Sequence, residues 1–225
     1  MNNLNVKALG GLLFLVLVMA SLLFALAGTL EYRLAWVFLV VFGGSALAIT
    51  LYLMKNDRKL LERRVYAGPT AEKETAQQVI QFLTTIGFAA MLVVAALDYR
   101  FHWSGMSGFV AAMGDVLVTL GFLIVFFVYR ENSFASATIE LAPEQKLIST
   151  GPYALVRHPM YFGGLIMFIG IPFALGSWWG LLVFIPMTPA LIWRPLDEER
   201  FLANHLAGYS EYQTKVRFRL MPFVW

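Results

Sequence analysis

Long apolar runs alternate with shorter polar segments along the whole chain. Four of the runs are 19–23 residues long and carry almost no charge: Ala8–Leu30, Leu34–Met54, Val79–Leu97 and Phe109–Tyr129. A helix rises 1.5 Å per residue, so a helix of this length crosses the roughly 30 Å hydrocarbon core of a bilayer. The pattern therefore predicts four membrane-spanning helices.

A fifth apolar run, Phe162–Trp193, has 32 residues, which is too long for one crossing and short for two. Its middle contains Gly170, Pro172, Gly176 and Ser177, and glycine and proline favour turns. We therefore expect two shorter helices that form a hairpin, with the break near 172–177. The chain would then cross the membrane about six times as an all-α, multi-pass helical bundle.

Composition narrows the class of protein further. Of the 225 residues, 59% are hydrophobic and 14% are charged, which excludes an ordinary soluble domain and a disordered chain. The absence of cysteine excludes disulfides, thiolate metal sites and a cysteine nucleophile. Only three histidines are present, so we expect no metal site.

The basic residues predict the orientation of the helices. With six crossings, 15 of the 17 Lys and Arg residues fall on one side, and only Arg33 and Arg100 fall on the other. A single crossing by the fifth run would give a division of 10 to 7. The positive-inside rule favours six crossings with both termini in the cytoplasm. The net charge of +3 then faces anionic headgroups rather than nucleic acid.

Two features of the apolar runs allow alternatives. Lys7, the apolar stretch and Ala25-Leu26-Ala27 have the order of a cleaved signal peptide, but the stretch is longer than usual, so we expect a retained first helix. Asp115 is the one ionisable residue within the five runs. It is either part of an intramembrane site or, more commonly for such a residue, a carboxylate that reaches the interface or a neighbouring helix.

The first informative polar segment is Arg130–Tyr161. It contains a turn around Pro152 and then Arg157-His158-Pro159, which is suited to the start of a helix. Backbone N–H groups at such a helix start attract an anion, and a guanidinium adds a planar partner for a carboxylate. The alternative is that these side chains anchor the chain at the interface and that Gly163-Gly164 packs helices.

The second polar segment, Arg194–Trp225, opens with three acids, Asp197-Glu198-Glu199. Acids here could simply complement a helix dipole. The predicted hairpin, however, returns them to the membrane face of Arg157. A site with one cationic and one acidic end suits a zwitterionic amino-acid cofactor. Aromatic rings could face the adenine or a sulfonium cation of such a cofactor. The candidate rings are those of Tyr153, Tyr161, Trp193 and Tyr212.

Three motifs together resemble the isoprenylcysteine carboxyl methyltransferase family and the membrane phospholipid methyltransferases. They are Gly151-Pro-Tyr-Ala-Leu-Val-Arg-His-Pro-Met-Tyr-Phe-Gly163, Gly-Ser-Trp-Trp at 176–179 and Glu-Glu-Arg-x-Leu at 198–202. The resemblance covers roughly Arg130 to Pro222. One departure is the stretch Leu206–Tyr212, which is one residue shorter than in many members. The short chain resembles bacterial members, for which a prenylated cysteine is not the expected substrate.

The resemblance implies an S-adenosylmethionine-dependent methyltransferase that acts on a lipophilic acceptor at the cytoplasmic face of a membrane, in bacteria the inner membrane. It also implies a set of cofactor contacts: Tyr153, Leu155, Val156, Arg157, His158, Pro159, Tyr161, Glu198 and Glu199. An acidic acceptor would need a cation, for which Arg194 and Arg200 are candidates unless they are interface anchors. An amine or thiol acceptor would need a base, for which His158 or a glutamate is a candidate.

We expect two parts of the chain. Residues 1–97 would form three spans on the substrate-entry side, and residues 98–225 the methyltransferase core. The core would consist of a span at 109–129, a cytoplasmic segment at 130–161, the hairpin at 162–193 and a cytoplasmic C-terminal helix at 194–225. Two other functions remain open: an NADPH-dependent membrane reductase on a related core, and a non-catalytic membrane interaction protein. The sequence leaves the acceptor and the oligomeric state undetermined.

Overall fold

The computed structural model describes residues 3–65, 72, 74–136, 138 and 145–225. Within these residues the regular structure is entirely helical. The helices are α1 (Asn3–Ala27), α2 (Arg33–Asn56), α3 (Arg58–Val65), α4 (Thr75–Phe101), α5 (Gly108–Glu131), a 3-10 turn (Gly151–Ala154), α6 (Pro159–Ala174), α7 (Trp179–His205) and α8 (Tyr209–Lys215).

Helices α1, α2, α4, α5 and α7 are long and apolar enough to cross a membrane, and α6 is a shorter apolar helix of 16 residues. The predicted all-α, multi-pass bundle is therefore confirmed, and the protein is an integral membrane protein. The predicted hairpin is present as well. Helix α6 ends at Ala174, Gly176 adopts a φ of +73°, and the Ser177 N–H donates to the Pro172 carbonyl at 2.9 Å.

The described residues do not confirm two predictions: the extended pieces before α6 and the division of the chain at 97/98. The sequence pattern around Thr138–Leu141, Pro143 and Lys146–Ile148 predicts two extended pieces, but 139–144 fall outside the described residues and Lys146–Ile148 has no regular secondary structure. The proposed boundary at 97/98 stays a prediction, and its position falls within α4.

Glycines allow α5 and α6 to pack backbone to backbone. A Cβ at Gly114 would lie 2.1 Å from the Ala174 nitrogen, and a Cβ at Gly163 would lie 2.9 Å from the Gly121 carbonyl oxygen. These glycines repeat at intervals of seven residues on both helices, 114/121 and 163/170. Small residues permit such close approach in membrane helices. The contact fixes the beginning of α6, and hence Arg157 and His158, relative to α5.

A buried carboxylate fixes the opposite end of α6 and α7. Asp98 of α4 is only 2% exposed and accepts bonds from the Ser104 N–H at 2.7 Å, from the Ser104 hydroxyl at 2.6 Å, and from the Ser177 hydroxyl in the hairpin turn. Asp98 lies one residue beyond the predicted span, so the apolar pattern does not reveal it. By contrast, Asp115 Oδ1 is buried without a hydrogen-bond partner among the described residues.

The alternating helices bring the two informative polar segments to one end of the bundle. Near the start of α4, Gln77 contacts Asp197 near the end of α7, and Arg64 of α3 contacts the Met160 sulfur at the start of α6. At the other end, Arg100 donates to the Leu26 carbonyl at 3.4 Å. Which membrane side each end faces stays a prediction from the basic residues.

Neighbouring glycines on α6 test the helix contact. A methyl group at Gly163 meets the α5 backbone, whereas a methyl group at Gly164 meets no atom within 4 Å. We expect Gly163→Ala to lower the free energy of unfolding by roughly 1–3 kcal/mol, the usual cost of overpacking. Gly164→Ala should be neutral or slightly stabilising, because alanine favours a helix over glycine. Thermal unfolding in detergent measures both, and equal midpoints for the two variants would contradict the close contact.

Candidate functional site

The candidate site is formed by the start of α6, the end of α7 and the C-terminal segment that follows α8. The Arg157 N–H donates to the Phe218 carbonyl at 2.9 Å, and the His158 N–H donates to the Arg219 carbonyl at 2.8 Å. These two bonds hold the residues before α6 against the C-terminal segment. Pro159 then occupies the first helical position, where its missing N–H costs nothing.

Glu199 is the centre of a buried charge cluster. It is 5% exposed, and its Oε1 lies 2.8 Å from Arg157 Nε and 3.2 Å from His158 Nε2. Its Oε2 accepts a hydrogen bond from Arg219 Nε at 3.1 Å. The Arg157 Nε contact is an ion pair without an aligned hydrogen bond, and Arg157 Nη1 donates to the Gln213 carbonyl at 3.3 Å. Loss of one partner from such a buried cluster leaves an uncompensated charge and is strongly destabilising.

Glu198 makes different contacts. It accepts a hydrogen bond from the Tyr161 hydroxyl at 2.7 Å, and its Oε2 lies 3.9 Å from His158 Nδ1. Its side chain is 26% exposed, whereas that of Glu199 is 6% exposed. Of the two acids, Glu198 is therefore the one that a ligand can reach.

Arg194 connects the site to α4. Its Nη2 lies 2.7 Å from Glu72 Oε1, its Nη1 donates to Gln77 Oε1 at 2.9 Å, and its Nε donates to the Tyr161 hydroxyl at 3.1 Å. The sequence motifs predicted no site residue in or near α4. The sequence does contain a pattern that could have indicated these contacts. Three glutamines lie near the start of the apolar run of α4: Gln77, Gln78 and Gln81.

A cavity of about 90 Å³ adjoins these residues. Tyr153 borders it and accepts a hydrogen bond from Asn132 Nδ2 at 2.9 Å, while the Tyr212 hydroxyl donates to the Tyr153 carbonyl at 2.7 Å. Tyr209 also borders the cavity, and its hydroxyl is buried with no hydrogen-bond partner among the described residues. Burial, together with the charges of Glu198 and Glu199, raises the pKa of Tyr209, so its hydroxyl stays protonated and can donate a hydrogen bond.

The predicted site residues do not all line the cavity. Those that line the cavity are Tyr153, Arg157, His158, Pro159, Tyr161 and Glu198. Glu199 lies beside them as the partner of Arg157 and His158. Leu155, 68% exposed, and Val156, 3% exposed, line a neighbouring apolar groove. Arg194 is held by α4, and Arg200 is exposed outside the cavity.

The geometry offers donors and acceptors to a ligand that carries charges of both signs. The first intrahelical bond of α6 runs from the Phe162 N–H to the His158 carbonyl at 3.1 Å, so the Met160 and Tyr161 N–H groups precede it. Glu198 supplies a carboxylate and Tyr209 a hydroxyl. Among the described residues, no three His, Asp or Glu side chains converge as they would around a metal ion.

Comparisons with known proteins find similarity over part of the chain. Residues 109–208 match the family model of phospholipid methyltransferases. A Delta(14)-sterol reductase of Mus musculus is 31% identical over 91 residues, which are 39% of this chain and 22% of that protein. The cobalt-zinc-cadmium resistance protein CzcN of Cupriavidus metallidurans is 32% identical over 104 residues, 44% of this chain and 47% of that protein.

The matches to these curated relatives thus span between about a fifth and about half of the relatives' length. The segment matched by the family model contains α5, α6, α7 and both acids of the site. Its position coincides with the motifs that carry the sequence resemblance. Residues 109–208, which are 100 of the 225 residues of the chain, thus match the model of the phospholipid methyltransferase family.

Proposed function

We propose that the protein is an S-adenosylmethionine-dependent methyltransferase that acts on a lipophilic acceptor reaching the site from the bilayer. The observation that carries the proposal is the site at the end of α6 and α7, inside the matched segment, where acidic, aromatic and backbone N–H groups meet around one cavity. By the distribution of basic residues, we place this end of the bundle at the cytoplasmic face of the membrane, which the resemblance to bacterial members would make an inner membrane.

The residues present fit the amino-acid part of this cofactor. The buried Tyr209 hydroxyl has no partner among the described residues, which suits a donor that is satisfied by a ligand. Glu198 would receive the cofactor's ammonium or ribose hydroxyls, and the Met160 and Tyr161 N–H groups its carboxylate. Arg157, expected to bind that carboxylate, is already paired with Glu199, so we assign it the role of holding Glu199 and His158 in place.

When bound, the cofactor would supply an electrophilic methyl group for in-line transfer to the acceptor, and its sulfonium sulfur would leave with the bonding electron pair as a neutral thioether. The protein's part is alignment and exclusion of water. An amine or thiol acceptor must lose a proton, and His158, whose Nε2 is held by Glu199 at 3.2 Å, is our candidate base. A carboxylate acceptor needs no base. The two arginines expected to hold it are not placed for this role, because Arg194 already contacts Glu72, Gln77 and Tyr161, and Arg200 lines neither the cavity nor the groove beside it.

The size of the cavity sets a requirement for binding. About 90 Å³ is below the roughly 300–1,000 Å³ of ordinary ligand pockets. The cavity must therefore widen to admit the cofactor. One of its walls is made by Asn132–Ser136 and Gln145–Ile148, which form no α-helix in the described residues, and we expect the displacement there.

An apolar groove beside the cavity supports a lipophilic acceptor. The groove has a volume of about 410 Å³ and is lined mainly by apolar side chains of α5, α6 and the turn before α6. Pro159 borders both the groove and the cavity, so a chain lying in the groove ends next to the proposed methyl donor. Arg130 and Glu131 supply the charged part of the groove lining.

The sterol reductase match favours a second candidate, a membrane reductase, for which we expect NADPH as the cofactor. NADPH carries a 2′-phosphate, and a site that recognises this group needs several Lys or Arg side chains close together. Lys146 and Arg157 are the basic residues that border the cavity in the described part of the chain, and Arg157 already faces Glu199. We therefore prefer the methyltransferase, and cofactor binding separates the two functions.

Calorimetry on the detergent-purified protein distinguishes the candidates. We expect S-adenosylmethionine to bind with a measurable heat at sub-millimolar concentration, and NADPH to give none. Saturable binding of NADPH alone would establish the reductase instead. If neither cofactor binds at millimolar concentration, a non-catalytic role becomes the better account.

The Tyr209 hydroxyl provides a sharper test of the site. Tyr209→Phe removes a group that has no partner among the described residues, so the thermal midpoint should stay within about a degree of wild type. Loss of one hydrogen bond to the cofactor should weaken S-adenosylmethionine binding roughly 3- to 10-fold. Tyr99→Phe is the matched control, because Tyr99 lies at the end of α4 that is away from the candidate site. This variant should bind S-adenosylmethionine like wild type. Wild-type affinity in Tyr209→Phe would refute the assigned contact.

A further inference from the structure

We propose that a second cavity, between α1, α2, α3 and α5, binds one acyl chain of an anionic phospholipid whose phosphate lies against Lys7 and Arg64. This proposal concerns a lipid that stays bound to the protein, and it does not rest on methyl transfer. The cavity has a volume of about 320 Å³ and shares no lining residue with the cavity of the candidate site.

The shape of the second cavity suits a single extended hydrocarbon chain. Its lining runs from Lys7 to Leu15 on α1, from Ala46 to Leu53 on α2 and from Phe122 to Tyr129 on α5. At 1.5 Å per residue these stretches correspond to a depth of roughly 10–12 Å. Most of the lining is apolar, and hydrocarbon is the component of a bilayer that fills such a groove without leaving polar groups unsatisfied.

Cations gather at one end of this second cavity. Lys7 and Arg64 both line it, and α3 also carries Arg58 and Lys59, which are exposed and do not line the cavity. Glu62 is the acid on α3, so the helix is basic overall. An anionic headgroup over an apolar chain complements this arrangement, whereas a zwitterionic headgroup would bring its own positive charge toward these cations.

The Arg64 side chain is held in place at this mouth. Its Nη1 donates to the Ser136 carbonyl at 3.0 Å, and its guanidinium lies 5.2 Å from the centre of the Tyr129 ring. The same Nη1 is 3.9 Å from the Met160 sulfur. Ser136 and Met160 border the cavity of the candidate site, so a phosphate on Arg64 would lie directly behind a wall of that site.

Adjacent glycines of α1 allow the second cavity to be filled without disturbing the fold. A Cβ at Gly11 or at Gly10 meets no atom within 4 Å, but only Gly11 lines the cavity. Gly11→Leu would therefore occupy the space of the acyl chain, and Gly10→Leu is its matched control. For the headgroup, Lys7→Gln removes a charge at the mouth, and Lys59→Gln removes an exposed charge from α3 that does not line the cavity.

The test measures bound lipid on delipidated, repurified protein by native mass spectrometry, with phosphatidylglycerol and phosphatidylcholine as probes. We expect one phosphatidylglycerol per chain, bound at least fivefold more tightly than phosphatidylcholine. Gly11→Leu and Lys7→Gln should each weaken it at least fivefold, while Gly10→Leu and Lys59→Gln should match wild type. If Gly11→Leu does not fold, Ala46→Leu fills the same cavity.

Three outcomes would overturn the proposal. Equal binding of the two lipids would show a groove without headgroup preference. Equal effects of the variants at residues 10 and 11 would show an unspecific lipid layer, and equal effects of those at residues 7 and 59 would remove the headgroup assignment. S-adenosylmethionine binding is also measured on Gly11→Leu. We expect it to match wild type, so that a loss of lipid binding in this variant is distinguishable from a failure of the proposed function.

Discussion

The buried carboxylate of Glu199 is the interaction on which the candidate site depends. It brings together Arg157 and His158 from the start of α6 and Arg219 from the C-terminal segment, while Glu199 itself belongs to α7. A carboxylate that is 5% exposed in a membrane protein persists only with such partners. Three separate pieces of chain are thereby fixed at one end of the bundle, and Glu198, one residue earlier, is left facing the cavity.

The rest of the bundle makes that arrangement possible. The glycine contact between α5 and α6 sets the position of the α6 start, and Asp98 fixes the hairpin turn at the other end through Ser104 and Ser177. Arg194 then joins α7 to α4 through Glu72 and Gln77. The polar chemistry is thus supported by helices from both halves of the chain.

Local patterns predicted much of this architecture, whereas tertiary contacts account for what they missed. Apolar run lengths reveal the spans, and Gly176 with Ser177 reveals the hairpin. The motif around Arg157 and the acids at 198–199 identify the elements of the site. The pattern could not show that Arg157 pairs with Glu199 rather than with a ligand, because that depends on which groups the fold brings within 3 Å. For the same reason it missed Gln77, whose partner is 120 positions away.

The most direct test of the account is methyl transfer by membranes that contain the protein. With methyl-labelled S-adenosylmethionine, the wild-type protein should place label in a product that partitions into organic solvent. Glu199→Gln should lose at least 90% of that label, because Arg157 and Arg219 lose their charged partner and the arrangement that fixes the site is strongly destabilised. Label at wild-type level in this variant, or none above empty membranes with the wild-type protein, would contradict the account.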